Sequence, residues 1–276
     1  MLSSKIFAGL TCGCKRPWSQ IEYNALLRRT RSGTGMHLGT PAHIQPERRG
    51  RKFYLAMAVI AAAIVFAGFA RTFYLNPFFA KLNLSGLRII HGLVFSCWLI
   101  LFIVQTSLVA AKRVDVHRKL GVFGAVLATL MVILGTALGI NAAKYGTPNP
   151  GLPPPTIFLV VPIFDMLVFA ILFASAFYYR RKPDMHKRLM LVATVSILPA
   201  WIARILFLFG VVDVLVPAFA LADALLVGCI LYDSVISHRL HRAWLWGGLL
   251  VILSFPLRLM IAPTAAWQSF AHWLIR

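Results

Sequence analysis

The chain has 276 residues, of which 59% are hydrophobic and only 13% charged, with a mean hydropathy of +0.78. A soluble domain is roughly half apolar and a quarter charged, so this composition excludes an ordinary soluble enzyme or binding module. The net charge of +20 comes from 28 basic residues, but these are scattered over a tail and several loops, a distribution that suits anionic lipid head groups and not nucleic acid.

Residues 1 to 52 carry ten basic and two acidic residues and no apolar run long enough for a signal-peptide core. A disordered, cytoplasmic tail is expected. Its Arg-rich, acid-poor character also suits an organelle transit peptide, and Met36 is an alternative start. Cys12 and Cys14 in this tail, like Cys97 and Cys229 in later apolar runs, read as ordinary thiols.

Seven apolar segments follow, at 53 to 75, 86 to 110, 119 to 142, 157 to 179, 189 to 210, 214 to 232 and 244 to 262. Each approaches the roughly 20 residues that a helix needs to cross a bilayer. The runs lack the alternation of a membrane β-barrel, and backbone groups in lipid need internal partners. The expected fold class is therefore all-α, with one membrane domain over 53 to 262 and a short tail over 263 to 276. Trp267, Phe270 and Trp273 in that tail recur at helical spacing, as in an interfacial anchor.

Loop charge sets the orientation. Lys112, Arg113, Arg118 and Lys119 follow span two, Arg180, Arg181, Lys182, Lys187 and Arg188 follow span four, and Arg239 and Arg242 follow span six. The other side holds at most Lys81, Arg88, Lys144 and Arg276. This positive-inside pattern places the N-terminus in the cytoplasm and the C-terminus outside. The Pro- and Gly-rich loop 145 to 156 is expected to be irregular and outside the membrane.

Two of the basic turns repeat. Lys112-Arg113-Val114-Asp115-Val116-His117-Arg118-Lys119-Leu120 aligns without gaps to Arg181-Lys182-Pro183-Asp184-Met185-His186-Lys187-Arg188-Leu189, and 237 to 242 echoes both loosely. Three parallel hairpins after an added first helix would produce this pattern, which also occurs in transport folds.

The stretch from Phe66 to Leu75, His91-Gly92 with Trp98 and Gln105, and then Arg113, His117-Arg118 and Leu120-Gly121 are similar to a group of uncharacterised bacterial multi-pass membrane proteins. The similarity covers most of 53 to 210 and implies the fold and a bacterial inner-membrane location, with no known activity. More distantly the chain resembles helical membrane b-type cytochromes, which implies bis-histidine ligation of haem b.

Ionisable residues inside a span cost about 2.5 to 3.5 kcal/mol each on insertion scales and call for a partner or a cavity. Arg71, His91, Asp165, Arg204, Asp223 and Arg258 come from six spans, yet all lie about 6 to 15 Å below the outer ends of their helices. Pro162, Pro199, Pro217 and Pro256 sit near four of them, where freed carbonyls and bending widen a pocket. Three arginines against two aspartates leave one positive charge, which an anionic or lipid-like ligand would balance. The simpler alternative has Arg71 and Arg258 snorkelling outward and Asp165 paired with Arg204; that pair is expected in either case.

His91, Trp98 and Gln105 recur every seven residues on one stripe of span two. Haem needs two ligands at one depth, and no histidine within a span matches His91; only His272 in the tail approaches it. His117 and His186 do match, at the entries of spans three and five, and are candidates to hold haem or, with Asp115, Asp184 and His238 or His241, a divalent metal. A blander reading has Asp115 and Asp184 as helix N-caps and the basic residues on lipid phosphates. Gly135-x-x-x-Gly139, with Gly121 and Gly124, reads as a packing face on span three.

No nucleophile elbow, Walker loop, Cys-x-x-Cys pair or His-Glu-x-x-His motif is present. The classes left open are a binding protein or transporter for an anion or lipid-like ligand, a haem-dependent electron carrier or quinone-linked reductase, and an assembly factor. The charge asymmetry makes the first prediction: a reporter active only outside the cytoplasm works when fused after Arg276 and fails after Lys187, and the reverse pattern would invert the topology.

Overall fold

The computed structural model describes residues 46–79, 83–146 and 152–276. The expectations for the tail up to residue 45, including Cys12, Cys14 and Met36, and for 147–151 of the Pro-rich loop lie outside the described residues. Seven helices long and apolar enough to cross a membrane make up an all-α, multi-pass membrane bundle, with no strand among the described residues.

Span one is Pro46–Phe69, continued by a π-helical turn over Ala70–Tyr74. Span two is Gly86–Ala110 and span three Val114–Tyr145. Span four is Val160–Tyr178, entered through a short helix at Pro155–Phe158. Span five has two segments, Pro183–Ser196 and Pro199–Leu208. Spans six and seven are Leu215–Ser237 and Arg242–Ile261, and the tail is a helix over Ala265–Leu274.

Several helices begin earlier than the apolar runs do. Span one starts at Pro46 within the expected tail, span three at Val114 and span five at Pro183. A charged residue loses nothing by being helical once its side chain reaches water, so the helices run on through the basic stretches and leave short turns. Two of those turns close in left-handed backbone at Lys112 and His238. Asp115 and Asp184 do not cap: they lie in the first turns, and the capping positions Arg113 and Lys182 make no side-chain bond. Asp115 instead pairs loosely with Arg113 at 3.6 Å, and Asp184 with Lys187 at 2.8 Å.

Span five stands inside a ring of the other six, in the order one, two, three, four, seven, six and back to one. It touches spans one, four, six and seven. Its central window is 56% buried, against at most 39% in any other span. Small side chains allow this approach from all sides: Ala193, Thr194 and Ser196 are buried, and the two hydroxyls satisfy themselves on their own helix, Thr194 donating to the Met190 carbonyl at 3.0 Å and Ser196 to that of Ala193 at 2.9 Å. Pro199 has no N–H to offer the Val195 carbonyl, which accepts from the Leu198 N–H at 3.0 Å in a tighter turn. That turn is the break in span five.

The tail helix docks through Trp267, whose Nε1 donates to the Thr156 carbonyl at 2.9 Å, while Phe270 and Trp273 stay exposed. Glycines set the closest approaches between spans. A Cβ on Gly68 would lie 2.7 Å from that of Trp201, so span one rests on span five there. Gly135 and Gly139 form the expected face of span three, against span four, whereas Gly121 lies in looser surroundings and Gly124 faces Leu101 of span two.

A Cβ on Gly139 would press to 2.7 Å on the Pro162 ring, which cannot rotate away, whereas one on Gly135 would meet the flexible Met166 side chain. Overpacking costs about 1 to 3 kcal/mol. Gly139→Ala is therefore expected to lower the melting temperature in detergent more than Gly135→Ala. The opposite order would mean that span four slides freely at Pro162.

Candidate functional site

Arg71, His91, Asp165, Arg204, Asp223 and Arg258 do not converge on one centre. Asp165 and Arg258 form a buried ion pair at 2.7 Å, joining spans four and seven. Arg258 also donates to Ser254 Oγ at 3.3 Å and lies 4.8 Å over the Phe219 ring. Asp223 is half-buried nearby and feels the Arg258 charge. The expected Asp165–Arg204 pair is thus replaced by Asp165–Arg258, and Arg258 does not snorkel. The reason is the lean of helical side chains towards the N-terminus: span seven rises from the basic turn at 238–241, so the guanidinium of Arg258 reaches back to the depth of Asp165. Arg71 is exposed on the outside of the π-helical turn and belongs to neither group.

Arg204 and His91 make a second group, between spans one, two and five. Nη1 of Arg204 donates to the Ala200 carbonyl at 2.6 Å, one turn deeper in its own helix, and the guanidinium lies 5.6 Å over the Phe69 ring. Among the described residues it has no carboxylate partner. His91 is buried, stacked at a tilt on Phe95 with ring centroids 4.1 Å apart and edge-on to Phe69, and within electrostatic reach of Arg204. Trp201 closes the floor, 5.5 Å from Phe69 and 5.7 Å from Phe95 between ring centroids.

Local structure explains the box. The π-helical turn, a feature frequent at functional sites, turns Phe73 onto Gly92 and places the Tyr74 hydroxyl 2.5 Å from Ser96 Oγ, which locks spans one and two side by side. A side chain on Gly92 would fill the space of the Phe73 ring. Within this packing His91 Nδ1 and Trp201 Nε1 are buried without a hydrogen-bond partner; Trp98 Nε1 is another such atom, but it lies two turns further along span two, against Phe169 and Phe173 of span four. Buried polar atoms are paired in the great majority of cases. Two orphans beside an uncompensated guanidinium therefore mark a place suited to an acceptor-rich, anionic group. A bis-histidine haem does not fit here, because the rings against His91 are Phe69 and Phe95 and His272 is exposed on the tail helix.

At the opposite, basic face His117 and His186 do meet, with ring centroids 6.1 Å apart and planes at 81°. His186 Nδ1 bonds the Ala176 carbonyl at 2.8 Å, and His117 leans on the main chain of Gln105. The wider metal set does not assemble: among the described residues no group of three or more His, Cys, Asp or Glu side chains could hold an ion, so Asp115, Asp184, His238 and His241 are not co-ligands. His241 instead accepts from the Ala243 N–H at 3.2 Å and caps span seven; burial and then the nearby Arg188 hold its pKa below the ordinary histidine value, which keeps the ring neutral for that role.

One centre on this face was not expected from the sequence. Arg188 is buried, not on lipid phosphates, and its Nε donates to Asp233 at 2.8 Å. Trp244 Nε1 donates to the same carboxylate at 2.8 Å and the Tyr54 hydroxyl at 3.2 Å. Asp233 falls just beyond the expected end of span six at 232. The available signal was the return of apolar residues after it, Val235 and Ile236. Cys229 is buried and Cys97 exposed, and both are free thiols.

The buried Asp165–Arg258 pair predicts a double-mutant signature. Removing one partner of such a pair costs about 3 to 5 kcal/mol, while removing both is often close to neutral. Asp165→Asn and Arg258→Gln should each lower thermal stability in detergent, and the double variant should regain much of the loss; simple addition would show that the two do not interact. No protein-family model, curated protein or solved structure matches the chain.

Proposed function

We propose that this chain is a membrane binding protein or transporter for an anionic, lipid-like ligand whose acidic head is held by Arg204 and His91. The lone charge of Arg204 carries the reading. Among the described residues its guanidinium meets no carboxylate, only the Ala200 carbonyl and the face of Phe69, beside the orphaned His91 and Trp201 nitrogens, and a charge within a span calls for a partner. The aromatic walls suit an apolar body, and the guanidinium suits a carboxylate or phosphate.

Lys112, Arg113, Lys182, Lys187 and Arg239 on the basic face support an orientation with that face in the cytoplasm, against anionic head groups, and the overall pattern suits a bacterial inner membrane. The outer-half box then loads from the outer leaflet.

The test uses a long-chain fatty acid brominated on its acyl chain, which quenches tryptophan emission on contact. Saturable quenching of the purified protein in lipid nanodiscs is expected. A charged hydrogen bond is worth about 1.5 to 3 kcal/mol, so Arg204→Gln should weaken binding about 10- to 100-fold, and Arg71→Gln, at an exposed site, should not. Equal affinity in wild type and Arg204→Gln would overturn the proposal.

A further inference from the structure

The paired histidines on the basic face point to a second site, independent of the Arg204 reading. We propose that His117 and His186 together coordinate one transition-metal ion. Imidazole nitrogens suit iron, copper, zinc and nickel. Two imidazoles bound to one metal across bonds of about 2.0 to 2.1 Å have ring centroids about 5 to 6.5 Å apart, according to the angle at the metal. The observed 6.1 Å lies in that range, at a wide angle.

The surroundings fit ligation. The bond between His186 Nδ1 and the Ala176 carbonyl makes Nδ1 the protonated nitrogen, which leaves the Nε2 lone pair for a metal. Carbonyl-oriented histidines of this kind are the usual outer-shell arrangement of metal ligands. His117 Nδ1 is buried without a partner, and so is Oε1 of Gln105, the residue whose main chain His117 leans on. His117 Nδ1 is thus a buried atom without a partner and His186 keeps a free Nε2, and a metal ion between the two rings would satisfy both. The rings come from spans three and five, with Ala176 on span four and Gln105 on span two, so one atom would tie four spans together at this face.

The test takes the full chain, purified without a histidine tag, and titrates it with Co2+ and Zn2+. One ion is expected per chain. His117→Ala and His186→Ala should each weaken binding more than about tenfold, while His238→Ala and His241→Ala keep it. Electron paramagnetic resonance of the wild type loaded with Cu2+ needs no variant and should report two imidazole nitrogens. Wild type that binds no stoichiometric ion, metal retained in both histidine variants, or a resonance spectrum without imidazole nitrogen would each overturn it.

Discussion

A charge in hydrocarbon must find its counterpart inside the protein, and the bundle is assembled around that demand. Two buried ion pairs, one towards each face, fasten the ring to itself and to its centre. Arg188 of span five holds Asp233 of span six, with Tyr54 of span one and Trp244 of span seven on the same carboxylate. Asp165 of span four holds Arg258 of span seven. Spans one, four, five, six and seven are thereby fixed in azimuth, a property that apolar packing against lipid-like side chains specifies poorly.

Once those pairs are made, a half-buried cation with no carboxylate partner among the described residues stands out. Arg204 has the same inward lean as Arg258, because both sit on helices that rise from the basic face and helical side chains tilt towards the N-terminus. For Arg258 the lean ends at Asp165; for Arg204 it ends at a backbone carbonyl and an aromatic ring. The break at Pro199 and the π-helical turn of span one lie one on each side of this place. Both are departures from regular helix, and both set the walls in which Phe69, His91 and Trp201 are presented.

The opposite face uses a different logic. There the two copies of the basic-basic-x-Asp-x-His pattern begin spans three and five in the same register, so their histidines arrive at one depth and meet. Their aspartates stay outside among lysines and arginines. The result is a pair of imidazoles inside a cationic rim, separated from the Arg204 box by the buried middle of span five.

The sequence by itself determined the class, the number of spans and the list of costly residues, because transfer of charge and apolar surface into lipid is large and depends on residue type and run length. It also made the meeting of His117 and His186 legible, since a repeat fixes depth. What only the tertiary structure decided was who stands beside whom. Depth estimated along each helix favoured Arg204 as the mate of Asp165, but a long arginine spans more than a turn and the order of helices around the bundle has no one-dimensional signature. For the same reason Arg188 read as a surface residue and Asp233 as a loop residue until span five was seen to occupy the centre of the ring.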